Sequence, residues 1–195
     1  MKRAGVVLSG ALIVLGTSCG LFEARKPNEP TGVQFQCLPL DQQLNIFQNV
    51  LNAYGVGEGL SCYSSTLDPA FAFVADPADV AEAPAGQYDS WNKSVEERVS
   101  QNLVSGAQAF QLRITAPVDT VSITPGSEEI RRYTYEIDFR GTLIPDTLFQ
   151  GTAEITIRLT TGGQWQITNW VDRRDPGGTT TRTWGYLRGA FRIGI

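Results

Sequence analysis

The first element that the hydrophobic pattern predicts is a helix after Pro39. Asp41 is in position to cap its N-terminus, and Gly55 and Gly57 follow as C-terminal stop signals. Between them, apolar residues recur at spacings of three and four, at Leu44, Phe47, Val50, Leu51 and Tyr54. This spacing places them on one face of a helix, which we expect to pack against the core.

Shorter elements follow this helix. A weaker helical period predicts a second short helix, through Leu60, Tyr63 and Leu67. Residues 70–74 are predicted to form a short strand, and residues 75–87, rich in Ala, Asp and Pro, to form a loop.

A third helix is predicted from a capping box, in which Ser94 and Glu97 satisfy each other's backbone donors. Its apolar stripe continues through Val95, Val99 and Leu103.

The period changes to two after Gly106, which indicates strands. Phe110, Leu112 and Ile114 alternate with polar neighbours, and three longer segments follow the same rule. Their inward-facing residues are Tyr133, Tyr135, Ile137 and Phe139, then Phe149, Ala153, Ile155, Ile157 and Leu159, then Trp165, Ile167 and Val171. Alternating strands joined by short turns form an antiparallel meander with one covered face. Because the helices come first and the sheet second, the fold class is α+β.

The end of this sheet is the segment Gly-Gln-Trp-Gln-Ile-Thr-Asn-Trp-Val-Asp at residues 163–172. Together with the order of the elements, it resembles the nuclear transport factor two-like superfamily over about residues 40–174, a superfamily that includes ketosteroid isomerase. The resemblance implies N-terminal helices packed on a strongly curved antiparallel sheet, in a cone whose open end can hold an apolar ligand. Trp184, Leu187 and Phe191 then predict a short C-terminal helix that packs back on the domain.

The N-terminus carries the parts of a secretion signal. Lys2 and Arg3 precede 13 uncharged, mostly apolar residues, a stretch too short to span a bilayer, and small residues follow before Cys19. This arrangement resembles a bacterial lipoprotein signal, which implies cleavage after residue 18 and lipid attachment at Cys19. The family usually has Leu three residues before the Cys, where this chain has Gly16. The alternative is ordinary cleavage with Cys19 as a chance thiol.

The predicted organisation is therefore a signal peptide at 1–18, a flexible tether at 19–36 and one domain at 37–195. Removing the signal leaves 14 basic and 20 acidic side chains, and the chain has no Lys/Arg cluster of the kind that follows a phosphate backbone. Nucleic acid is therefore not expected as a partner. The resemblance implies attachment to the bacterial cell envelope, on the periplasmic face of the outer membrane or at the cell surface.

The remaining two cysteines, Cys37 and Cys62, are an even number in an oxidising compartment. They flank the first predicted helix, and a disulfide between them stabilises the fold by roughly 3–4 kcal/mol in the chain-entropy model. The alternative is that both are small buried apolar residues.

The chain contains no histidine, which excludes His-based acid–base catalysis, His-activated nucleophiles and imidazole metal sites. The acids of the predicted sheet, Glu136, Asp138 and Glu154, alternate with arginines, as on a solvated face with cross-strand ion pairs. We therefore assign no catalytic residue. A loose acidic group at Asp76, Asp79 and Glu82 lacks a calcium-loop pattern, so no metal or other cofactor is assigned.

Two tryptophans do not fit the predicted core faces. Trp91 precedes the third helix, and Trp170 has the opposite strand parity to Trp165. Exposed tryptophans are typical of interfaces, so we predict an interface or pocket role for both residues. The outer sheet face pairs two subunits in many members of the resembled superfamily, which makes Trp170 a candidate for a homodimer interface.

These observations predict a lipid-anchored, non-catalytic binding or interaction module of the cell envelope. Its partner is an apolar small molecule or a protein. The alternative is a small enzyme, of isomerase or dehydratase type, that acts on an apolar ligand through carboxylate or tyrosine proton transfer. A deep cavity with a carboxylate of raised pKa beside a Tyr favours the enzyme, and a filled cone favours the interaction role.

Overall fold

The computed structural model of the protein describes residues 36–56, 59–115, 117–141, 143–144, 147–175 and 182–193. The predicted signal peptide, with Cys19, lies outside these residues, as does the tether except for Gln36. The elements, in chain order, are α1 (Gln43–Val56), α2 (Leu60–Thr66), β1 (Leu67–Val74), α3 (Pro77–Glu82), α4 (Lys93–Gly106), β2 (Ala107–Ile114), β3 (Asp119–Thr124), β4 (Glu128–Gly141), β5 (Thr147–Leu159), β6 (Trp165–Arg173) and α5 (Trp184–Ile193).

The strands form one sheet in the order β1-β6-β5-β4-β2, and β3 pairs with β4 beside β2. The pairs among β2 to β6 are antiparallel, as predicted, whereas β1 lies parallel to β6 and makes the sheet mixed. The predicted α+β class and its cone-like arrangement, with helices packed on one face of the sheet and a short C-terminal helix, are confirmed.

The alternation of β6 reverses within the strand. Its pairing with β5 passes from Ile157–Ile167 to Thr156–Asn169, so that Thr168 is an extra residue on β6. An extra residue of this kind is a β-bulge, and it moves every later side chain to the opposite face. As a result, Trp165 and Ile167 are buried before the bulge, and Trp170 is buried after it.

The predicted helices are present, but two of their details are wrong. On α1 the buried residues include Ile46, Phe47 and Val50, whereas Leu44 is 73% exposed because it lies on the opposite side of the first turn. The cap of α4 is Asn92, whose side chain accepts a hydrogen bond from the Val95 backbone N–H at 3.1 Å. Because Asn92 already accepts the hydrogen bond from this backbone N–H at the start of the helix, the predicted Ser94–Glu97 capping box does not form.

The segment predicted as a loop at 75–87 contains the short helix α3. Asp76 caps it by accepting a hydrogen bond from Ala78 N at 2.8 Å, and Pro77 occupies its first turn. Proline has no N–H to lose at this position, so Asp76 and Pro77 start a helix within the segment predicted as a loop.

The disulfide predicted between Cys37 and Cys62 is present. It joins the start of the described chain to α2, and Asn49 of α1 holds the same N-terminal segment through two hydrogen bonds to the backbone of Leu38. Among the described residues, no helix has both the length and the hydropathy to cross a membrane.

Candidate functional site

The C-terminal helix α5 inserts its apolar face into the interior of the domain. Trp184, Leu187 and Phe191, the residues predicted to pack back on the domain, are buried, and Arg188 lies fully buried among them. Glycine allows this close approach, because a Cβ at Gly189 would overlap the Tyr88 hydroxyl.

Arg188 faces the carboxylate of Glu96, which is also fully buried on α4. Its Nε lies 3.3 Å from Glu96 Oε1. The same carboxylate accepts hydrogen bonds from the Tyr63 hydroxyl at 2.7 Å, from Trp91 Nε1 at 2.8 Å and from the Ser100 hydroxyl at 3.4 Å. Glu96 is therefore a buried anion that is bound by three neutral donors and faces one cation.

Aromatic rings surround the Arg188 guanidinium. Its Cζ lies 4.2 Å from the ring centroid of Trp170, 4.3 Å from that of Trp184 and 4.7 Å from that of Phe73. These distances are typical of cation–π contacts. Burial is the largest single effect and acts against the positive charge, but Glu96, Tyr63, Tyr54 and Asp172 together outweigh it, so the pKa of Arg188 lies above its ordinary value. We call Arg188, Glu96 and the three rings the guanidinium cage.

A second buried carboxylate, Asp172 of β6, lies at the N-terminus of α5. Asp172 Oδ1 accepts a hydrogen bond from the Tyr135 hydroxyl at 2.6 Å, and its Oδ2 accepts one from Gly185 N. The Tyr135 hydroxyl in turn accepts from Trp184 N at 2.8 Å. Burial raises the pKa of Asp172 to about 6, against the opposing effects of Tyr135 and Arg188. Burial also raises the pKa of Tyr135 well above its usual value, so this hydroxyl stays protonated at neutral pH.

The raised pKa predicts a pH effect on stability. Folded Asp172 holds its proton up to about pH 6, whereas an unfolded Asp loses it near pH 4, so this group's stabilising contribution is greatest below pH 4 and is lost as the pH rises to 6. We expect the free energy of unfolding of the wild type, relative to Asp172→Asn, to fall by about 2 kcal/mol between pH 4 and pH 6.5. Urea unfolding of both proteins across this range measures the difference between them. The pH effects of the other carboxylates are common to both proteins and cancel in this difference. Parallel pH curves for the two proteins would show that the pKa of Asp172 is not raised.

A surface pocket adjoins the cage. It has a volume of about 340 Å³ and lies between α2 and α4. Tyr63 and Ser100 form part of its wall, and both also bond Glu96. Two residues thus belong both to the pocket wall and to the hydrogen bonds around Glu96, while Arg188 is not among the lining residues.

The structure places Trp91 and Trp170, the two tryptophans with a predicted interface or pocket role, inside the domain. Trp170 is fully buried in the cage, and Trp91 is 4% exposed and donates to Glu96. The two residues therefore meet around one interior site. A ring buried in this way cannot contact a second subunit, so the interface role of Trp170 has to be corrected, and the physical reason is the bulge at Thr168. The homodimer itself stays a prediction.

The acids of the sheet lie on its polar face and form cross-strand ion pairs with arginines, as predicted. Arg113 of β2 pairs with Glu136 and also with Asp138 at 2.9 Å, and Glu154 pairs with Arg132 at 3.5 Å.

In the acidic segment, Arg174 binds Asp79 at 2.6 Å and Glu82 at 2.8 Å, and its backbone N–H donates to Asp76 at 2.9 Å. These acids therefore hold the end of β6 against α3. Among the residues that the structure describes, no group of three or more Cys, Asp or Glu has metal-binding geometry.

Glu96, Asp172, Tyr135 and Arg188 are the functional groups that sequence reasoning missed. For Arg188 a signal was present, because it falls on the same helical face as Trp184, Leu187 and Phe191. A charged residue within an apolar stripe indicates a buried ion pair. For Asp172 the regular alternation of β6 predicts an outward-facing side chain, whereas the bulge at Thr168 reverses the alternation and turns Asp172 inward.

Comparison with known proteins gives a likeness of fold. No protein-family model matches the chain, and no curated protein matches it significantly. Among solved structures, a scytalone dehydratase-like protein of Novosphingobium aromaticivorans superposes with a TM-score of 0.55 at 9% identity, covering 72% of this chain and 89% of its own.

Two further structures are similar. An aromatic ring hydroxylase-like protein of the same bacterium gives a TM-score of 0.54 at 11% identity, over 67% of this chain and 85% of its own. A Mycobacterium tuberculosis protein of unknown function gives a TM-score of 0.50 at 10% identity, over 77% of this chain and 83% of its own. At these identities the likeness concerns the fold, and the activities in these names belong to those proteins.

Proposed function

From the nuclear transport factor two-like fold of this chain and the filled interior of its cone, we propose a non-catalytic binding module that is attached to the bacterial cell envelope by lipid on Cys19. The attachment is supported by the signal-like N-terminus and by the Cys37–Cys62 disulfide, a bond typical of extracytoplasmic proteins. The periplasmic face of the outer membrane or the cell surface is the proposed location.

The observation that carries the binding role is the occupied interior. The space in which a cone-shaped domain can hold a substrate is filled here by Trp170, Trp184 and Arg188, each fully buried. The two carboxylates nearest these side chains are also engaged, Glu96 by three side-chain donors and Asp172 by Tyr135 and Gly185. A buried carboxylate whose hydrogen bonds are satisfied in this way is typical of a structural or recognition role.

Lipid attachment is tested by labelling. We expect the full chain, expressed in a bacterial host with radiolabelled palmitate, to carry the label and to sediment with membranes. Cys19→Ala is expected to lose at least nine-tenths of the label, because the thiol that accepts the lipid is gone. Cys62→Ala is the matched control and keeps the label. Equal labelling of the wild type and Cys19→Ala would refute the anchor.

A second candidate function is the small enzyme of isomerase or dehydratase type, and Asp172 is the observation that favours it. Its carboxyl has a pKa of about 6 and lies 2.6 Å from the Tyr135 hydroxyl, a pairing suited to proton transfer near neutral pH. The dehydratase-like neighbour makes dehydration the reaction to assay. Turnover that disappears in Asp172→Asn would favour the enzyme over the binding module.

A further inference from the structure

The guanidinium cage has the features of a ligand site, although a side chain of the same protein fills it. Phe73 and Trp170 come from the sheet and Glu96 comes from α4, so three of its five members belong to elements other than α5. The guanidinium makes cation–π contacts with three rings and an ion pair with one carboxylate.

The polar atoms of Arg188 are unusual for a buried arginine. Within the described part of the chain, none of its three guanidinium nitrogens has an acceptor with hydrogen-bond geometry. Buried polar groups are almost always hydrogen-bonded, and buried charges without such bonds are costly. The π faces, the charges of Glu96 and Asp172 and the nearby Tyr54 hydroxyl therefore stabilise this cation. Aromatic cages recognise organic cations through such π faces.

Helix α5 is a weak helix that depends on this contact. Its ten residues, WGYLRGAFRI, include two glycines and three aromatic residues, which are poor helix formers. A helix of this length and composition has little stability apart from the surface it packs on. The rest of the domain thus supplies Phe73, Trp170 and Glu96 to the site, and α5 supplies Trp184 and the ligand, Arg188.

We propose that the interior of this domain is a recognition site for a guanidinium cation, and that Arg188 occupies it as an internal ligand. This inference rests on the proposed binding function and names its ligand class, a guanidinium group carried on an apolar segment such as α5. An external guanidinium competes with Arg188, so the site becomes measurable when that side chain is removed.

The experiment restores the ligand to an emptied cage. In Arg188→Ala the missing atoms correspond to ethylguanidinium, so we expect about 5 mM ethylguanidinium to raise the folding equilibrium constant of the purified full-length variant at least tenfold, measured by urea unfolding. The wild type and Arg192→Ala, whose cages remain filled, are expected to change less than twofold. All samples are matched in ionic strength with sodium chloride.

Ethylurea separates charge from volume, because it is a planar, neutral analogue of the same size. Equal stabilisation of Arg188→Ala by ethylurea, or no response to ethylguanidinium, would overturn the proposal.

Should the variant not fold, Arg188→Lys and Arg188→Met, which have unbranched side chains of comparable bulk, give a second test. If the cage is a cation site, the folding equilibrium constant of the Lys variant is at least tenfold larger than that of the Met variant. Equal constants would overturn the proposal. Palmitate labelling reports only on lipid attachment at Cys19, so it can contradict the proposed anchor without affecting the test of the guanidinium site, and the reverse also holds.

Discussion

We expect Glu96→Ala to lower the free energy of unfolding by about 3–5 kcal/mol, because it removes the carboxylate that pairs with a fully buried arginine. The loss has a second source, since Tyr63 and Trp91 both donate to this carboxylate and would be left without an acceptor. Urea unfolding followed by circular dichroism measures the change.

Glu97→Ala is the matched control for Glu96→Ala. Glu97 is the next residue of the same helix, but it is only half-buried and bonds Ser64 near the surface. We expect its removal to cost less than about 1 kcal/mol, as is usual for partly solvated polar contacts. Similar losses in the two variants would mean that the charge of Arg188 does not depend on Glu96.

Trp170→Ala is expected to lower the free energy of unfolding by about 3–5 kcal/mol, the usual cost of truncating a large buried ring. Trp170 packs edge-on against Trp184 at a centroid distance of 5.0 Å and stacks on Arg188, so its removal opens the centre of the interior. Urea unfolding measures the change.

The control for Trp170→Ala is Leu44→Ala, which removes an exposed apolar side chain and is expected to cost less than about 0.5 kcal/mol. The sequence pattern predicts the opposite order, with Leu44 in the core and Trp170 at the surface. A larger loss for Leu44→Ala would favour the interpretation from the sequence over the burial in the structure.

Much of the fold could be predicted because it depends on local periodicity. Alternation along β4 and β5 identifies their buried faces, and the spacing of Trp184, Leu187 and Phe191 identifies α5. The parallel pairing of β1 with β6 could not be predicted in the same way. It depends on the path of the chain through the helices rather than on any pattern within the two strands.

The errors at single residues have a common physical origin. An alternating pattern assumes a regular strand, and one extra residue at Thr168 invalidates that assumption for Trp170, Val171 and Asp172 together. The polar sequence Thr168-Asn169 interrupts the apolar pattern at this point, which is the only local sign of the bulge.

The interior site was harder to predict because its members are far apart in sequence. Glu96 and Arg188 are each ordinary surface residue types on amphipathic helices, and only the packing of α5 against α4 makes them partners. Arg188 alone had a visible signal, its place on an apolar helical face. Asp172 and Tyr135 meet across two strands that are not neighbours in the sheet order, so no pairing rule connects them.

The position of α5 at the end of the described chain also bears on biosynthesis. A ribosome delivers β1 long before its partner β6, whose Ile167 pairs with a Leu67 made a hundred residues earlier, and α5 emerges later still. Until then, Phe73 and Trp170 have no cation to enclose and the Glu96 carboxylate has no counter-charge. Closure of this interior therefore waits for α5, and a chain interrupted before Trp184 displays its aromatic side chains to chaperones and proteases.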